Sequence, residues 1–228
     1  MRDRLKKSEF WSAMIILLLH VLVFPIALSL LAAMRPELLT NAEINLVYYI
    51  ATTLLVFIFL GRYLRRSFDG LVDAPARCLS SFAIGWGIYL LLTIAAAGVM
   101  DALGLGDNLN QDSIDSMLGQ ERRLIIVMTV FLAPIAEECL FRGGLFCGLY
   151  PKSRFAAYAV SMLLFCVYHV WQYALALGDV RYLLMLIQYL PAAFVLCWVY
   201  ERSGSVWTNI FFHMSVNAYA VFAASRLG

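Results

Sequence analysis

The sequence predicts an all-α protein, a polytopic transmembrane helical bundle of about seven to eight spans. Hydrophobic residues make up 63% of the 228 positions and charged residues only 14%, against roughly 25% in an ordinary soluble domain. The mean hydropathy is +0.80. Because a spanning helix needs about 20 apolar residues, this length leaves room for no sizeable soluble domain. We therefore expect a single integral membrane domain over residues 1–228.

Seven apolar runs, separated by short polar segments, are the predicted spans. The first run is too long for the apolar core of a signal peptide, and no small-residue cleavage site follows it, so we expect it to be retained. The fourth run is long and contains Pro134 and the Gly143-Gly144 pair, which predicts a kinked, broken or tilted span. In order, the runs cover residues 10–33, 44–61, 81–100, 124–150, 155–177, 182–200 and 205–224.

An eighth, shorter element is predicted near residues 103–122, where the chain has its one long hydrophilic segment, residues 101–120. This segment is rich in Gly, Asn, Asp and Ser, and its Ile114, Met117 and Leu118 have the spacing of an amphipathic helix at the membrane interface. We expect either a lid or a connector that rests on the lipid headgroups.

The Lys and Arg residues predict which helix ends face the cytoplasm. If the N-terminus is cytoplasmic, eleven of them fall inside and five outside, and Arg142 lies within the fourth run. The positive-inside rule then predicts an N-in, C-out orientation, which we assign to a prokaryotic cytoplasmic (inner) membrane. The net charge of +2 gives no support to nucleic-acid binding; the bilayer is the expected surrounding. The inside set is Arg2, Arg4, Lys6, Lys7, Arg62, Arg65, Arg66, Arg77, Lys152, Arg154 and Arg202, and the outside set is Arg35, Arg122, Arg123, Arg181 and Arg226.

The five cysteines show no pattern typical of a metal site or a disulfide framework. There is no CxxC pair, and four of the five lie in apolar runs, where cysteine behaves as a small hydrophobic residue. We expect neither a zinc knuckle nor disulfides from Cys78, Cys139, Cys147, Cys166 and Cys197.

Three charged residues inside the fourth apolar run predict a functional site. An Asp, Lys or Arg at a helix centre costs about 2.5–3.5 kcal/mol, so such groups persist where they pair or do chemistry. Glu138 and Arg142 are four residues apart on one helix face and can pair. Glu137 lies about 100° around the helix from Glu138. We predict that Glu138 and Arg142 give structural support and that Glu137 is the reactive group.

All three histidines also lie in apolar runs. His213 and Asn217 are four residues apart, so they share a helix face and can donate hydrogen bonds to one oxygen, as an oxyanion site requires. His169 adds a further candidate in the fifth run. His20 has no polar neighbour in the sequence, and we expect it only to pack.

The charged residues of the fourth run, the histidine of the fifth and the His-Asn pair of the seventh follow one another along the chain on separate spans. In this arrangement they resemble the three motifs of the CPBP family of intramembrane proteases. That family includes the type II CAAX prenyl proteases, which act on prenylated C-termini at the cytoplasmic side, and bacteriocin-processing and Abi proteins. The resemblance covers residues 124–220 and implies that Glu138 and Arg142 hold the helix geometry. The motifs are Glu137-Glu138-x-x-x-Arg142, Phe165-x-x-x-His169 and His213-x-x-x-Asn217.

The same resemblance implies an endopeptidase that hydrolyses a peptide bond near the C-terminus or membrane anchor of its substrate. The expected partner is a membrane-associated protein or peptide. Glu137 with His169 would activate the attacking water, while His213 and Asn217 would stabilise the tetrahedral oxyanion.

Two mechanisms remain open at this point, one without a cofactor and one with zinc. Glu137, His169 and His213 are a ligand set that could hold zinc with an open position for water. The HExxH spacing that presets two ligands on one helix is absent, so we favour the mechanism without a metal.

Two other classes of function compete with a protease. One is a non-catalytic immunity or scaffold protein of the same fold. The other is a proton-linked transporter, because intramembrane Glu and His chains also form proton relays. The absence of an internal repeat in the sequence speaks against the transporter.

Overall fold

The described part of the chain is a bundle of helices, seven long and one short. The structure is a computed structural model that describes residues 5–35, 37–105 and 109–227. Every secondary-structure element in those ranges is a helix. In chain order they are α1 (Lys7–Met34), α2 (Asn41–Asp73), α3 (Pro75–Ala102), α4 (residues 109–120), α5 (Glu121–Leu149), α6 (Arg154–Leu177), α7 (Tyr182–Ser203) and α8 (Val206–Leu227).

Six of the long helices, all but α8, are long and apolar enough to cross a membrane, judged on the described residues. The last helix carries Asn209, His213 and Asn217, which lower its hydropathy, and it packs against α2, α5 and α7. The prediction of an all-α polytopic bundle is therefore confirmed.

Local signals in the sequence explain where several helices begin and end. Thr40 and Glu43 form a capping box at the start of α2, with the Glu43 backbone N–H donating to Thr40 Oγ1 over 3.2 Å. The Ser153 side chain caps α6 in the same way. Gly178 and Gly204 follow α6 and α7 with φ of 63° and 71°, a left-handed conformation that suits glycine.

Helix α5 is continuous and is not broken at Pro134 or at the Gly143-Gly144 pair. Wider, π-helical turns at Val127–Leu132 and Glu138–Phe146 accommodate these residues instead. The sharp bend lies earlier, at Glu121 (φ −134°, ψ 52°), where α4 meets α5. Such widened turns change which way side chains face and are frequent at functional sites.

Glycines on α5 let α1 lie directly against it. A Cβ added to Gly144 would come within 2.7 Å of Ala13 Cβ, and one added to Gly148 would collide with the Phe10 ring. The spacing of Gly144 and Gly148 is that of the GxxxG pattern, which is typical of such close helix packing.

One half of the bundle is filled by large side chains. We call it the closed half; its centre consists of the fully buried Leu60, Tyr63, Phe146, Tyr200 and Val206. The hydroxyls of Tyr63 and Tyr200 lie 2.8 Å apart there. No room is left for a substrate among these side chains.

The amphipathic helix expected in the hydrophilic segment is present as α4, with Ile114 partly buried against Ala42 and Met128. Residues 106–108, and the side chains of Met117 and Leu118, lie outside the described part of the chain. The five cysteines are all buried and free.

Candidate active site

The half of the bundle opposite the closed half contains a cavity of about 470 Å³. Its wall comes mainly from α1, α2 and α5 to α8, with one residue each from α3 and α4. The packing of α5, α6 and α8 thus brings four of the residues singled out in the sequence to one cavity, namely Glu137, His169, His213 and Asn217.

Glu138 is fully buried and joins α5 to α8. Its Oε1 accepts hydrogen bonds from Arg142 Nη1 (3.0 Å) and His213 Nδ1 (2.8 Å), and its Oε2 accepts one from the Asn209 amide. Because a carboxylate paired with a guanidinium can only accept, His213 Nδ1 must carry a proton. Glu138 therefore fixes the ring of His213 and leaves its Nε2 for the cavity.

Arg142 extends this brace to two further helices. It is fully buried, its Nη2 donates to the Ala193 carbonyl of α7 over 3.3 Å, and its guanidinium lies 4.2 Å from the ring centroid of Phe165 on α6. The ion pair between Glu138 and Arg142 thus holds together four helices of the bundle.

Glu137 is only 3% exposed, and one of its two oxygens has no partner. Oε1 accepts a hydrogen bond from the Tyr49 hydroxyl over 3.1 Å, whereas Oε2 has no hydrogen-bond partner among the described residues. A buried polar group left unpaired costs about 1–3 kcal/mol. Oε2 of Glu137 is therefore the acceptor that a water molecule or a substrate would meet.

His169 is held by its own helix and by an aromatic neighbour. Its Nδ1 lies 2.8 Å from the Phe165 carbonyl oxygen, and its ring packs at 4.6 Å against Tyr189. Since a carbonyl oxygen only accepts, Nδ1 carries the proton, and in the neutral ring Nε2 is then an acceptor.

Asn217 uses one of its two amide N–H groups to hold α8 on α5. Its Nδ2 donates to the Thr129 carbonyl over 2.8 Å. In the widened turn at Val127–Leu132, hydrogen bonds join residues five apart: the Ala133 N–H donates to the Met128 carbonyl. The same pattern would require the next residue, Pro134, to donate to the Thr129 carbonyl. Proline has no N–H, so the Thr129 carbonyl is available to Asn217.

His20 is a hydrogen-bonding residue, and the expectation that it only packs was wrong. A chain of contacts runs from Tyr49 OH to Tyr168 OH (3.0 Å), Tyr48 OH (3.0 Å) and His20 Nε2 (3.1 Å). His20 Nδ1 lies 3.2 Å from Thr52 Oγ1. The partners are 28 and 32 residues away in the chain, which the sequence alone does not bring together.

Sequence reasoning also missed Tyr49 and Asn209. Asn209 had a readable signal, because Asn209, His213 and Asn217 follow one another at four-residue spacing on one face of α8. Tyr49 had none, since its contact with Glu137 spans 88 residues.

The site does not fit a metal in this arrangement. The part of the chain that the structure describes contains no group of three His, Cys, Asp or Glu side chains placed to hold one ion. Glu137, His169 and His213 line the same cavity but do not converge on a common point, so we derive no step through zinc.

Two comparisons relate the chain to known proteins. Residues 119–219 match the family described as "Type II CAAX prenyl endopeptidase Rce1-like". A Bacillus subtilis (strain 168) protein described as "Putative membrane peptidase YdiL" is 27% identical over 143 residues, which cover 61% of this chain and 54% of that protein. The chain thus matches about half the length of that relative. No solved structure matches the chain significantly.

The helical bundle and its buried Glu and His residues define a class, that of polytopic membrane proteins with a polar site inside the bilayer. The matched region contains every motif residue from Glu137 to Asn217. Residues 119–219, which make up less than half of the chain, are similar to this Rce1-like family, and the similarity supports a protease of the CPBP type.

Proposed function

We propose that the chain is an intramembrane endopeptidase, integral to the cytoplasmic (inner) membrane of a prokaryote with its N-terminus inside. Its substrate is a membrane-associated protein or peptide, cut near its C-terminus or membrane anchor. The observation that carries the proposal is the unpartnered Oε2 of Glu137 beside the cavity that also contains His169, His213 and Asn217. The family match supports endopeptidase activity in general.

Glu137 is the general base of the proposed reaction, and His169 helps to hold the water. One proton of the water passes to Glu137 Oε2 while the other is hydrogen-bonded to His169 Nε2. The water oxygen bonds to the peptide carbonyl carbon, and the carbonyl oxygen becomes an oxyanion. Glu137 then returns its proton to the leaving amine as the C–N bond breaks.

His213 and Asn217 stabilise the oxyanion. Asn217 offers its second N–H, because the first is bonded to the Thr129 carbonyl. A His213 protonated on both nitrogens donates from Nε2 to the oxyanion and from Nδ1 to Glu138. Glu138 and the oxyanion together then balance the charges of Arg142 and His213, so no net charge is left at the site.

The other two classes of function fit the site less well. A proton-linked transporter needs access from both faces, whereas the closed half is packed with side chains such as Phe146 and Tyr200. A scaffold protein needs no carboxylate with an unpaired buried oxygen, and keeping one costs stability.

Replacing Glu137 tests the proposal. We expect cells with Glu137→Gln to lack the membrane-protein fragments that cells with the unmodified chain produce, as compared by mass spectrometry of protein N-termini in the membrane fraction. Glu37→Gln is the matched control, because Glu37 is exposed and is not among the residues that line the cavity. Identical fragments from the unmodified and Glu137→Gln chains would refute the proposed activity.

A further inference from the structure

The helix ends fall on two faces of the bundle, and side-chain contacts identify the face at the closed half. There α1, α6 and α8 begin and α2, α5 and α7 end. Arg66 bonds to Glu9 over 2.6 Å, the Val206 N–H bonds to Ser67 Oγ over 2.8 Å, and Glu201 accepts from Tyr150 over 2.6 Å and from Arg154 over 2.7 Å.

The cavity lies toward the other face. Its wall includes residues from the ends of α1, α6 and α8 and from the beginnings of α2 and α5. These are, for example, Ala32, Gln172, Ala220, Asn41 and Thr129. His169 lies eight residues before Leu177, the end of α6, which places it about 12 Å below that end. A substrate therefore reaches the site from the cavity face.

The positive charges are concentrated at the opposite face. Apart from the intramembrane Arg142, nine of the Lys and Arg side chains that the structure describes lie at the closed half and three at the cavity face. Short loops rich in Lys and Arg remain on the cytoplasmic side of a membrane. The nine are Lys6, Lys7, Arg62, Arg65, Arg66, Arg77, Lys152, Arg154 and Arg202, and the three are Arg35, Arg122 and Arg123.

We infer that the cavity opens on the non-cytoplasmic side of the membrane, and that the bond cut lies in a membrane-anchored peptide segment exposed on that side. The substrate part of this inference rests on the proposed function; the orientation does not. A prenylated C-terminus in the cytoplasm would meet the closed half, so it is not the substrate class that this orientation serves.

The shape and lining of the cavity narrow the substrate further. An α-helix with its side chains is about 10–12 Å wide, so a cavity of about 470 Å³ holds roughly one helical turn. Because a longer helical segment does not fit, we infer that the segment to be cut is extended where it enters the cavity. Among the described lining residues Glu137 is the only carboxylate, and there is no Lys or Arg. A charged substrate side chain would therefore find few partners of opposite charge, and we infer that the bound segment is uncharged. Amides such as Asn45 and Gln172 can form hydrogen bonds with its peptide backbone.

Cysteine labelling tests the orientation. The five native cysteines are buried, so the unmodified chain provides a low background for a membrane-impermeant maleimide. Glu37→Cys places a thiol at the cavity face and Lys152→Cys places one at the closed half, both at exposed positions outside the site. In spheroplasts we expect labelling of Glu37→Cys at once and of Lys152→Cys only after permeabilisation, which also shows that both thiols react.

The reverse pattern, or labelling of Lys152→Cys in sealed spheroplasts, would overturn the inferred orientation. Labelling requires no proteolysis, so the result is independent of the proposed activity. If the labelling pattern is reversed but cleavage still depends on Glu137, the inferred orientation is refuted and the proposed endopeptidase activity is retained. If the labelling pattern is as expected but no Glu137-dependent cleavage is found, the proposed function and the inferred substrate class are refuted, and the inferred orientation is retained.

Discussion

The Tyr49 hydroxyl donates a hydrogen bond to Glu137 Oε1 over 3.1 Å, and through it α2 positions the carboxylate on α5. With Oε1 occupied, the orientation of the carboxylate is fixed and Oε2 is left for the water. Tyr168 bonds to the same hydroxyl over 3.0 Å, which restrains Tyr49 in turn. In the proposed reaction the N-terminal helices therefore contribute to positioning the base, although no motif lies on them.

Tyr49→Phe removes this bond without removing the ring. A hydrogen bond to a charged group contributes about 1.5–3 kcal/mol, so we expect kcat to fall about 10- to 100-fold with KM little changed. Steady-state kinetics on a peptide substrate in detergent would measure both constants. Tyr63→Phe is the matched control, since Tyr63 is a buried tyrosine whose hydroxyl is also hydrogen-bonded, but it lies in the closed half. Equal kcat losses in the two variants would contradict a positioning role.

Arg142→Met should destabilise the fold strongly. It leaves Glu138 as a buried charge without its cation, a change that costs about 3–5 kcal/mol. The double variant Glu138→Gln with Arg142→Met should lose less stability than the sum of the two single variants, because the pair is removed together. Denaturant unfolding of the purified proteins in detergent would measure these free energies. Additive losses would show that the two residues are not coupled.

Gly144→Ala should separate α1 from α5. The new methyl group would lie 2.7 Å from Ala13 Cβ, and neither helix backbone can move away freely, so we expect a loss of about 1–3 kcal/mol in the free energy of unfolding. Gly61→Ala in α2 is the control, since its methyl group meets nothing within 4 Å. That control should be neutral or stabilising by up to about 1 kcal/mol. Equal stability of both variants would argue against close packing at Gly144.

The metal-free mechanism predicts that chelators leave the activity intact. Purified protein treated with 1,10-phenanthroline, then analysed for metal content, should cleave its peptide substrate as fast as untreated protein. The expectation follows from Glu137, His169 and His213 not converging on one point. Loss of activity that added zinc restores would instead assign these three residues to a metal.

Sequence patterns predicted what is local or repeated along the chain. Apolar runs located the long helices, and the pairing of Glu138 with Arg142 followed from a four-residue spacing within one helix. The contacts of Tyr49 and His20 could not be predicted, because they depend on how separate helices pack across 28 to 119 residues of chain. Of the kink, break or tilt expected from Pro134, no break occurs, because widened turns accommodate the missing N–H and the Asn217 amide donates to the Thr129 carbonyl that proline leaves unpaired.

Asn209 and Asn217 lie two turns apart on α8 and should affect different quantities when replaced by Ala. Asn209 is fully buried and donates to Glu138, so Asn209→Ala should mainly lower the free energy of unfolding. Asn217 lines the cavity, and in the proposed reaction its second N–H donates to the oxyanion, so Asn217→Ala should lower kcat by about 100- to 1000-fold. Unfolding and steady-state kinetics measured on both variants would separate the two roles. A kcat loss that is as large for Asn209→Ala as for Asn217→Ala would remove Asn217 from the oxyanion site.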